Sequence, residues 1–422
     1  MSSTRAFRFQ LRTKPAVEAQ LRRYAGQLRG IWNKALAEQR ARHARGERYA
    51  GHAEMCKWLT TWRNDNATAW LAEGPMHPQQ QVLKRLDEAY KRFFKKAGGF
   101  PSFKRYGDDP GIRFPDPKQF ALDAANGRIK LPKLGWLRLR MSQPVTGELR
   151  NVSITRGGAS WFVSIQVQVA GTLPALGLAP SLGIDMGLAQ FAATSEGVLV
   201  APLKALAQQQ RRIKHAQRSL ARKVKGSCNR KKAITRLGNL HRRVARQRAD
   251  WLHKLSTELA SRRPVIAIED LKVRNMSASA AGTAAQPGKN VKAKAGLNKS
   301  ILDAAWSEFA RQLEYKAAWA GGQVIRVSPA YTSQTCSACG HCAKDNRKSQ
   351  SLFACAACGH TGNADLNAAN NILAAGHAVW AAHEGALPDA CGGDVSRVRR
   401  ASAGRAAPVK QEPTEAEGLV CA

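Results

Sequence analysis

The sequence predicts a multidomain α+β fold, in which a β-barrel interrupted by a helical insert is followed by an α/β domain. Three observations lead there. At 422 residues the chain is long for one compact core, because domains cluster near ~100–150 residues. Strand-like alternation occurs at the N-terminus and again after residue 98, on both sides of a stretch with helical periodicity. Beyond a Gly- and Pro-containing linker at 171–180, the pattern changes to short, continuous apolar strands that end in acids.

Taken in order, residues 6–12 alternate Phe7, Phe9 and Leu11 with Arg8, Gln10 and Arg12, the period of a strand with one buried face. Over 15–97 the apolar positions recur at helical spacing, as in Leu21, Tyr24, Leu28, Ile31, Trp32 and Leu36, then Val82, Leu83, Leu86, Tyr90, Phe93 and Phe94. β signals return over 98–175: an Asn126-Gly127 turn, Ile129 and Leu131, Trp136 to Leu139, Val152 and Ile154, a Gly157-Gly158 turn, then Val163, Ile165 and Val167. Segments 1–14 and 98–175 are therefore expected to form one barrel around the insert. Ser181 to Gly197 reads as two strands and opens an α/β domain expected over 181–330. Within it, Val265 to Glu269 is a second buried strand, 277–298 a mobile loop, 301–320 a helix, and Val324 to Val327 a further strand. A cysteine segment at 331–361 and a helix at 362–376 follow, and 377–422 lacks periodicity and is expected to be disordered.

Charge narrows the partner. Sixty-seven Lys and Arg against 30 Asp and Glu leave +37, a self-repulsion that a bound polyanion relieves. Between Lys204 and Lys254 stand 17 cations and one acid, Asp250, with Ile234, Leu237, Val244, Trp251, Leu255 and Leu259 on an apolar stripe. Two helices broken near Gly226-Ser227 fit this pattern. Their cations, Arg211, Arg212, Lys214, Arg218, Arg222, Lys223, Arg242, Arg243 and Arg246, are candidate phosphate contacts. Nothing resembles a signal peptide or an apolar run of the ~18 residues a membrane span needs. A cytoplasmic protein, nucleoid-associated when on DNA, is the expectation.

Four of the nine cysteines form two Cys-x-x-Cys pairs, Cys336-Ser-Ala-Cys339-Gly-His and Cys355-Ala-Ala-Cys358-Gly-His, separated by 15 residues. Each pair supplies two thiolates from a tight turn, the following Gly permits positive φ, and four sulfurs close a tetrahedron around a structural Zn²⁺. Cys56, Cys228, Cys342, Cys391 and Cys421 lack such spacing and are expected to be free thiols.

Three acids stand where a carboxylate is costly or placed. Asp185 lies in an apolar strand, Glu269 closes the next, and Asp365 opens a helix in Asn363-Ala-Asp-Leu-Asn. Singly, each also reads as a cap or ion-pair partner. Together, strand acid, hairpin, helices, strand acid and helix acid follow the order of an RNase H-like fold. Carboxylates on neighbouring elements are what two-metal phosphodiester hydrolysis requires, and Mg²⁺ (or Mn²⁺) takes such oxygen ligands.

With these residues in hand, the chain resembles the TnpB family, transposon-encoded RNA-guided nucleases related to type V CRISPR effectors. Gly183-Ile-Asp185-Met-Gly is similar to its first RuvC motif, Ile266-Ala-Ile-Glu269-Asp-Leu to the second, and Asn363-Ala-Asp365-Leu-Asn-Ala-Ala-Asn-Asn-Ile to the third. Trp306 to Trp319 and Tyr331-Thr-Ser-Gln-Thr-Cys also resemble the family, and Arg29-Gly-Ile-Trp-Asn33 and Phe100-Pro-Ser-Phe-Lys104 do so more loosely. Asn363 and Ser351 depart from it, standing where an acid and an Arg are commoner. The resemblance implies a wedge-like β-barrel with a helical recognition insert, then a RuvC nuclease with catalytic Asp185, Glu269 and Asp365 and an inserted zinc ribbon. It also implies a guide RNA from the transposon end and a double-stranded DNA target beside a short flanking motif, read by pairing and by protein respectively. Gln79, Gln80 and Gln81 then become candidates for base edges. Competing readings are a compact type V CRISPR effector, a non-cutting RNA-guided repressor, and a strand-joining transposase.

Overall fold

The computed structural model describes residues 2–158, 160–170, 179–263 and 265–384. The chain opens with β1 (Ser2–Arg12), α1 (Pro15–Ala44), α2 (His52–Asn64) and α3 (Met76–Phe94), and returns as β2 (Ile112–Phe114), β3 (Ala121–Asp123), β4 (Arg128–Leu131), β5 (Gly135–Arg140), β6 (Glu148–Gly157) and β7 (Ser160–Ala170). Pro15 starts α1, where its fixed φ suits the helix and its missing N–H costs nothing. Gly127, at φ +57°, turns β3 into β4. The seven strands pair in the order β2-β6-β7-β1-β5-β4-β3, with β1 lying antiparallel on β7 so that Phe9 faces Val163. One core joins sheet and helices: Phe9, Ile154 and Ile165 pack with Leu28, Ile31, Val82 and Leu86.

The second half contains β8 (Leu182–Asp185), β9 (Ala192–Thr194), β10 (Leu199–Val200), α4 (Ala205–Ala221), α5 (Cys228–Arg262), β11 (Val265–Glu269), α6 (Val273–Met276), α7 (Val291–Ala304), α8 (Trp306–Trp319), β12 (Gln323–Val327), β13 (Leu352–Ala354), β14 (Thr361–Asn363) and α9 (Ala364–Glu384). Its five-stranded sheet runs β10-β9-β8-β11-β12. The first three strands are antiparallel, and β11 lies parallel to both β8 and β12.

Alternation along these strands divides their side chains between two faces. Leu182, Ile184, Ile266 and Ile268 meet Leu252 of α5 and Phe309 and Leu313 of α8. Val265, Ala267, Ile325 and Val327 meet Ile372, Val379 and Trp380 of α9. Gly183 is on the α9 side, and a Cβ there would lie 2.2 Å from the carbonyl oxygen of Ala369. Only glycine permits so close an approach. No helix among the described residues is long and apolar enough to cross a membrane.

Three expectations are corrected. The 301–320 helix is two helices, because Ala305 takes a left-handed φ of +56° between α7 and α8. Residues 291–298, expected in a mobile loop, belong to α7, whose Lys/Ala/Leu sequence favours a helix once Ile301 is buried. Residues 377–384, expected to be disordered, extend α9, because Val379 and Trp380 still have strand residues to pack on. The rest of that tail lies outside the described residues. The break between α4 and α5 falls where it is expected, with the Ser227 hydroxyl capping α5.

Candidate active site and metal centre

Strand parity places two of the three acids. Asp185 and Glu269 have the same parity as Gly183 and Ala267, so both lie on the face that α9 covers, at the C-terminal ends of adjacent parallel strands. They are in register, since each follows directly on the pair Ile268 and Ile184. The third acid comes from the first turn of α9. Asn363 frees it for that position, because the Asn363 Oδ1 accepts from the backbone N–H of Asp365 at 2.9 Å and of Leu366 at 3.2 Å, doing the capping itself.

The three carboxyls share one electrostatic environment. Burial, then the charges of Glu269 and Asp365, push the Asp185 carboxyl up to about 7, against a smaller opposing pull from Arg347. Burial also raises Glu269 and Asp365 above the usual carboxylate range. The neighbouring Asp270 is the contrast: it pairs with Lys272 and with Arg326 and sits below that range. Arg347 is the cation that acts on Asp185 and Asp365, its Nη2 lying 3.5 Å from Asp365 Oδ1, while the buried Glu269 has the Thr332 hydroxyl as its partner. An all-oxygen donor set with surplus negative charge fits a hard divalent cation.

The cysteine segment folds as two like knuckles. Cys336 N–H donates to the His341 carbonyl at 2.9 Å and Cys355 N–H to the His360 carbonyl at 2.8 Å, with Gly340 and Gly359 at φ +76° and +73°. The sulfurs of Cys336, Cys339, Cys355 and Cys358 lie within 4.8 Å of one another. Two of the separations, Cys336–Cys358 at 3.8 Å and Cys339–Cys355 at 3.6 Å, match the ~3.8 Å edge of a tetrahedron with ~2.3 Å Zn–S bonds. The cluster suits a structural Zn²⁺, with Cys342 outside it.

Residues without a sequence signal tie the ribbon to the acids. Asn346, fully buried, bridges the knuckles by donating to the His341 carbonyl and accepting from Ala356 N–H, each at 3.0 Å. Asn367 and Asn371 reach from α9 to the carbonyl of Thr335 at 2.8 and 2.7 Å. Thr332 donates to Glu269 Oε1 at 2.6 Å. Arg347 was equally invisible: it leaves a short 3₁₀ turn, and only the fold carries it to Asp365.

The candidate nucleic-acid contacts divide. Arg211, Arg212, Lys214 and Arg218 are exposed on α4, all four lining a groove of about 620 Å³ together with Arg236 of α5. Arg222 and Lys223 are exposed just beyond α4. Arg242, Arg243 and Arg246 line a second groove of about 340 Å³, beside Gly157 and Ser160. Gln80 is half-buried at the start of α3, but Gln79 is buried, and its amide is taken up in donating to the Leu71 carbonyl and accepting from Arg63.

Comparison with known proteins adds the following. A family model described as a probable transposase matches residues 164–280, one described as a Cas12f1-like TNB domain matches 306–372, and one described as a helix-turn-helix domain matches 1–48. In the last span the structure has β1 and the single helix α1, not two helices joined by a turn. The protein called "Putative RNA-guided DNA endonuclease InsQ" of Escherichia coli (strain K12) is 46% identical over 98% of both chains. A relative of like description from Streptomyces pristinaespiralis is 34% identical over 98% of this chain and 97% of its own. The solved structure of a Cas12f1-sgRNA-target DNA complex shares the fold, with a TM-score of 0.53 at 14% identity over 88% of this chain and 98% of that one.

Proposed function

Because the chain belongs to the family of TnpB-like RNA-guided DNA endonucleases, we propose that it binds a guide RNA from a transposon end and cuts matching double-stranded DNA beside a short flanking motif. The cut is made at Asp185, Glu269 and Asp365. The observation that carries this reading is that two adjacent parallel strands and the helix covering them bring Glu269 and Asp365 near enough to act on the Asp185 carboxyl, which burial and then these two charges raise to about 7. The sheet order, three antiparallel strands followed by two parallel ones, supports a RuvC nuclease of RNase H type. The curled seven-stranded sheet is read as the wedge-like barrel, and α1 to α3 as its recognition insert.

Asp185, Glu269 and Asp365 would hold Mg²⁺ or Mn²⁺, which when bound supplies Lewis acidity at the scissile phosphate and a hydroxide nucleophile, leaving 5′-phosphate and 3′-hydroxyl ends. Arg347 steadies Asp365 and adds a positive charge beside it. The exposed cations of α4 and α5 hold backbone phosphates, which positions strands without reading sequence. Gln80 reaches a base edge of the flanking duplex. Near full-length similarity to the E. coli relative, against 15% coverage by a CRISPR-associated Cas12f1, favours the transposon form over the CRISPR effector.

Protein co-expressed with its transposon end is expected to co-purify with RNA and, in Mg²⁺, to cut plasmids that match that RNA and spare those that do not. The cutting rate should rise with pH through about 7, because Asp185 is raised to that value and a protonated carboxyl does not ligate a cation. More Mg²⁺ should move the midpoint lower by competing with the proton. Equal cutting of unmatched plasmid would refute guidance, and a flat profile at low Mg²⁺ would refute the role of Asp185.

A further inference from the structure

The turn between β12 and the first cysteine knuckle touches both the ribbon and the acid cluster. Thr332 is only 9% exposed, and its Oγ1 donates to Glu269 Oε1 at 2.6 Å. A hydroxyl has one proton to give, and its alternative acceptor, the Pro329 carbonyl, is farther away at 3.3 Å. Among the described residues this is the hydrogen bond that the Glu269 side chain receives, and Glu269 itself is 7% exposed. Without it, the carboxylate would have no fixed donor to set how it turns.

The backbone behind the hydroxyl is clamped from several directions. Asn371 Nδ2 donates to the Thr332 carbonyl at 2.8 Å and to that of Thr335 at 2.7 Å, and Asn367 Nδ2 donates to Thr335 at 2.8 Å. Tyr331, just before Thr332, takes a left-handed φ of +63°, a conformation an aromatic residue adopts only when its surroundings impose it. Its carbonyl accepts from the N–H groups of Gln334 at 2.9 Å and Thr335 at 3.0 Å. Cys336 follows directly and belongs to the four-sulfur cluster. One short segment thus connects the metal knuckle, the helix that carries Asp365, and the carboxylate of Glu269.

Resting on the nuclease reading above, we propose that Thr332 is a positioning residue, whose hydroxyl sets the Glu269 carboxylate for the divalent cation and through which the cysteine ribbon supports cleavage. It acts on Glu269 and touches neither substrate nor reacting atoms. Residues that orient metal ligands typically matter ~10–100-fold in metal affinity or activity.

The test compares Thr332→Val, which keeps the shape and removes the hydroxyl, with Thr332→Ser, which keeps the hydroxyl, both as guide-RNA complexes. Thr332→Val is expected to lose ~10–100-fold in cutting rate at fixed Mg²⁺ and about tenfold in Mn²⁺ affinity measured by electron paramagnetic resonance, with target binding and zinc content unchanged, while Thr332→Ser stays within about twofold of wild type. A Val variant that equals wild type in both readouts, or a Ser variant that fails as badly as Val, overturns the proposal. Should Val lose zinc or RNA, Thr332→Ala, which only deletes atoms, reads the same two quantities and wild-type values for it are equally fatal. Wild-type protein that binds no Mn²⁺ and cuts nothing would instead sink the nuclease reading, and this inference with it.

Discussion

Asp185→Ala protein, loaded with its guide RNA, is expected to bind matched DNA as wild type does and to cut it at least ~10³-fold more slowly, the ~4 kcal/mol that an organised metal site contributes to a phosphoryl transition state. The residue ends β8, and both other acids act on its carboxyl, so in the proposed site its loss removes the ligand that links them. Misfolding is distinguishable from lost chemistry by the sign of the stability change. The Asp185 carboxyl is raised to about 7 in the fold, so above that pH its charge weighs against the folded state when no divalent ion is present. The Ala variant should therefore melt no lower than wild type at pH 8 in chelator. Undiminished cutting, or a lower melting temperature with lost target binding, would contradict the assignment.

The second large effect concerns the ribbon. Cys355→Ser is expected to lose the bound zinc and at least ~10²-fold of cutting rate while still retaining guide RNA, because structural zinc sites supply folding energy directly. The ribbon has little else to fold on: its own core is Cys336, Phe353, Cys355 and Ala364. Once the knuckles loosen, the anchors of Thr335 on α9 and of Thr332 on Glu269 loosen with them. The basic helices α4 and α5 have a separate core around Ala205, Ile213 and Val244 and should still hold RNA. Zinc content by mass spectrometry, RNA content by absorbance and plasmid cutting resolve the three outcomes. Full zinc loss with unchanged cutting would separate ribbon from chemistry and contradict the account.

Much of this was legible in the sequence where chemistry demands an unusual residue. Asp185 and Glu269 stand out because a charge at the end of a buried apolar strand needs a reason, and the cysteine pairs because their spacing fits a metal. Which face each acid takes follows from strand parity only once the packing of α9 is known. What escaped depended on contacts distant in sequence. Thr332, Asn346 and Arg347 are ordinary residues in turns, and nothing local marks a hydroxyl 63 residues beyond Glu269 as its partner. Gln79 looked like its neighbour Gln80 until Arg63 and the Leu71 carbonyl took up its amide. The start of α7 carries no amphipathic stripe that would mark it as a helix, since Ile301 is the one residue of α7 that is buried, and the end of α9 is held by Val379 and Trp380 against strand residues distant in sequence.

The account as a whole rests on the convergence of Asp185, Glu269 and Asp365 on divalent cations. Anomalous scattering from crystals of the guide-loaded protein grown with Mn²⁺ tests it directly. Two peaks ~3.5–4 Å apart, in contact with all three carboxylates, are the predicted result. Manganese bound elsewhere, with these carboxylates touching only protein, would contradict it.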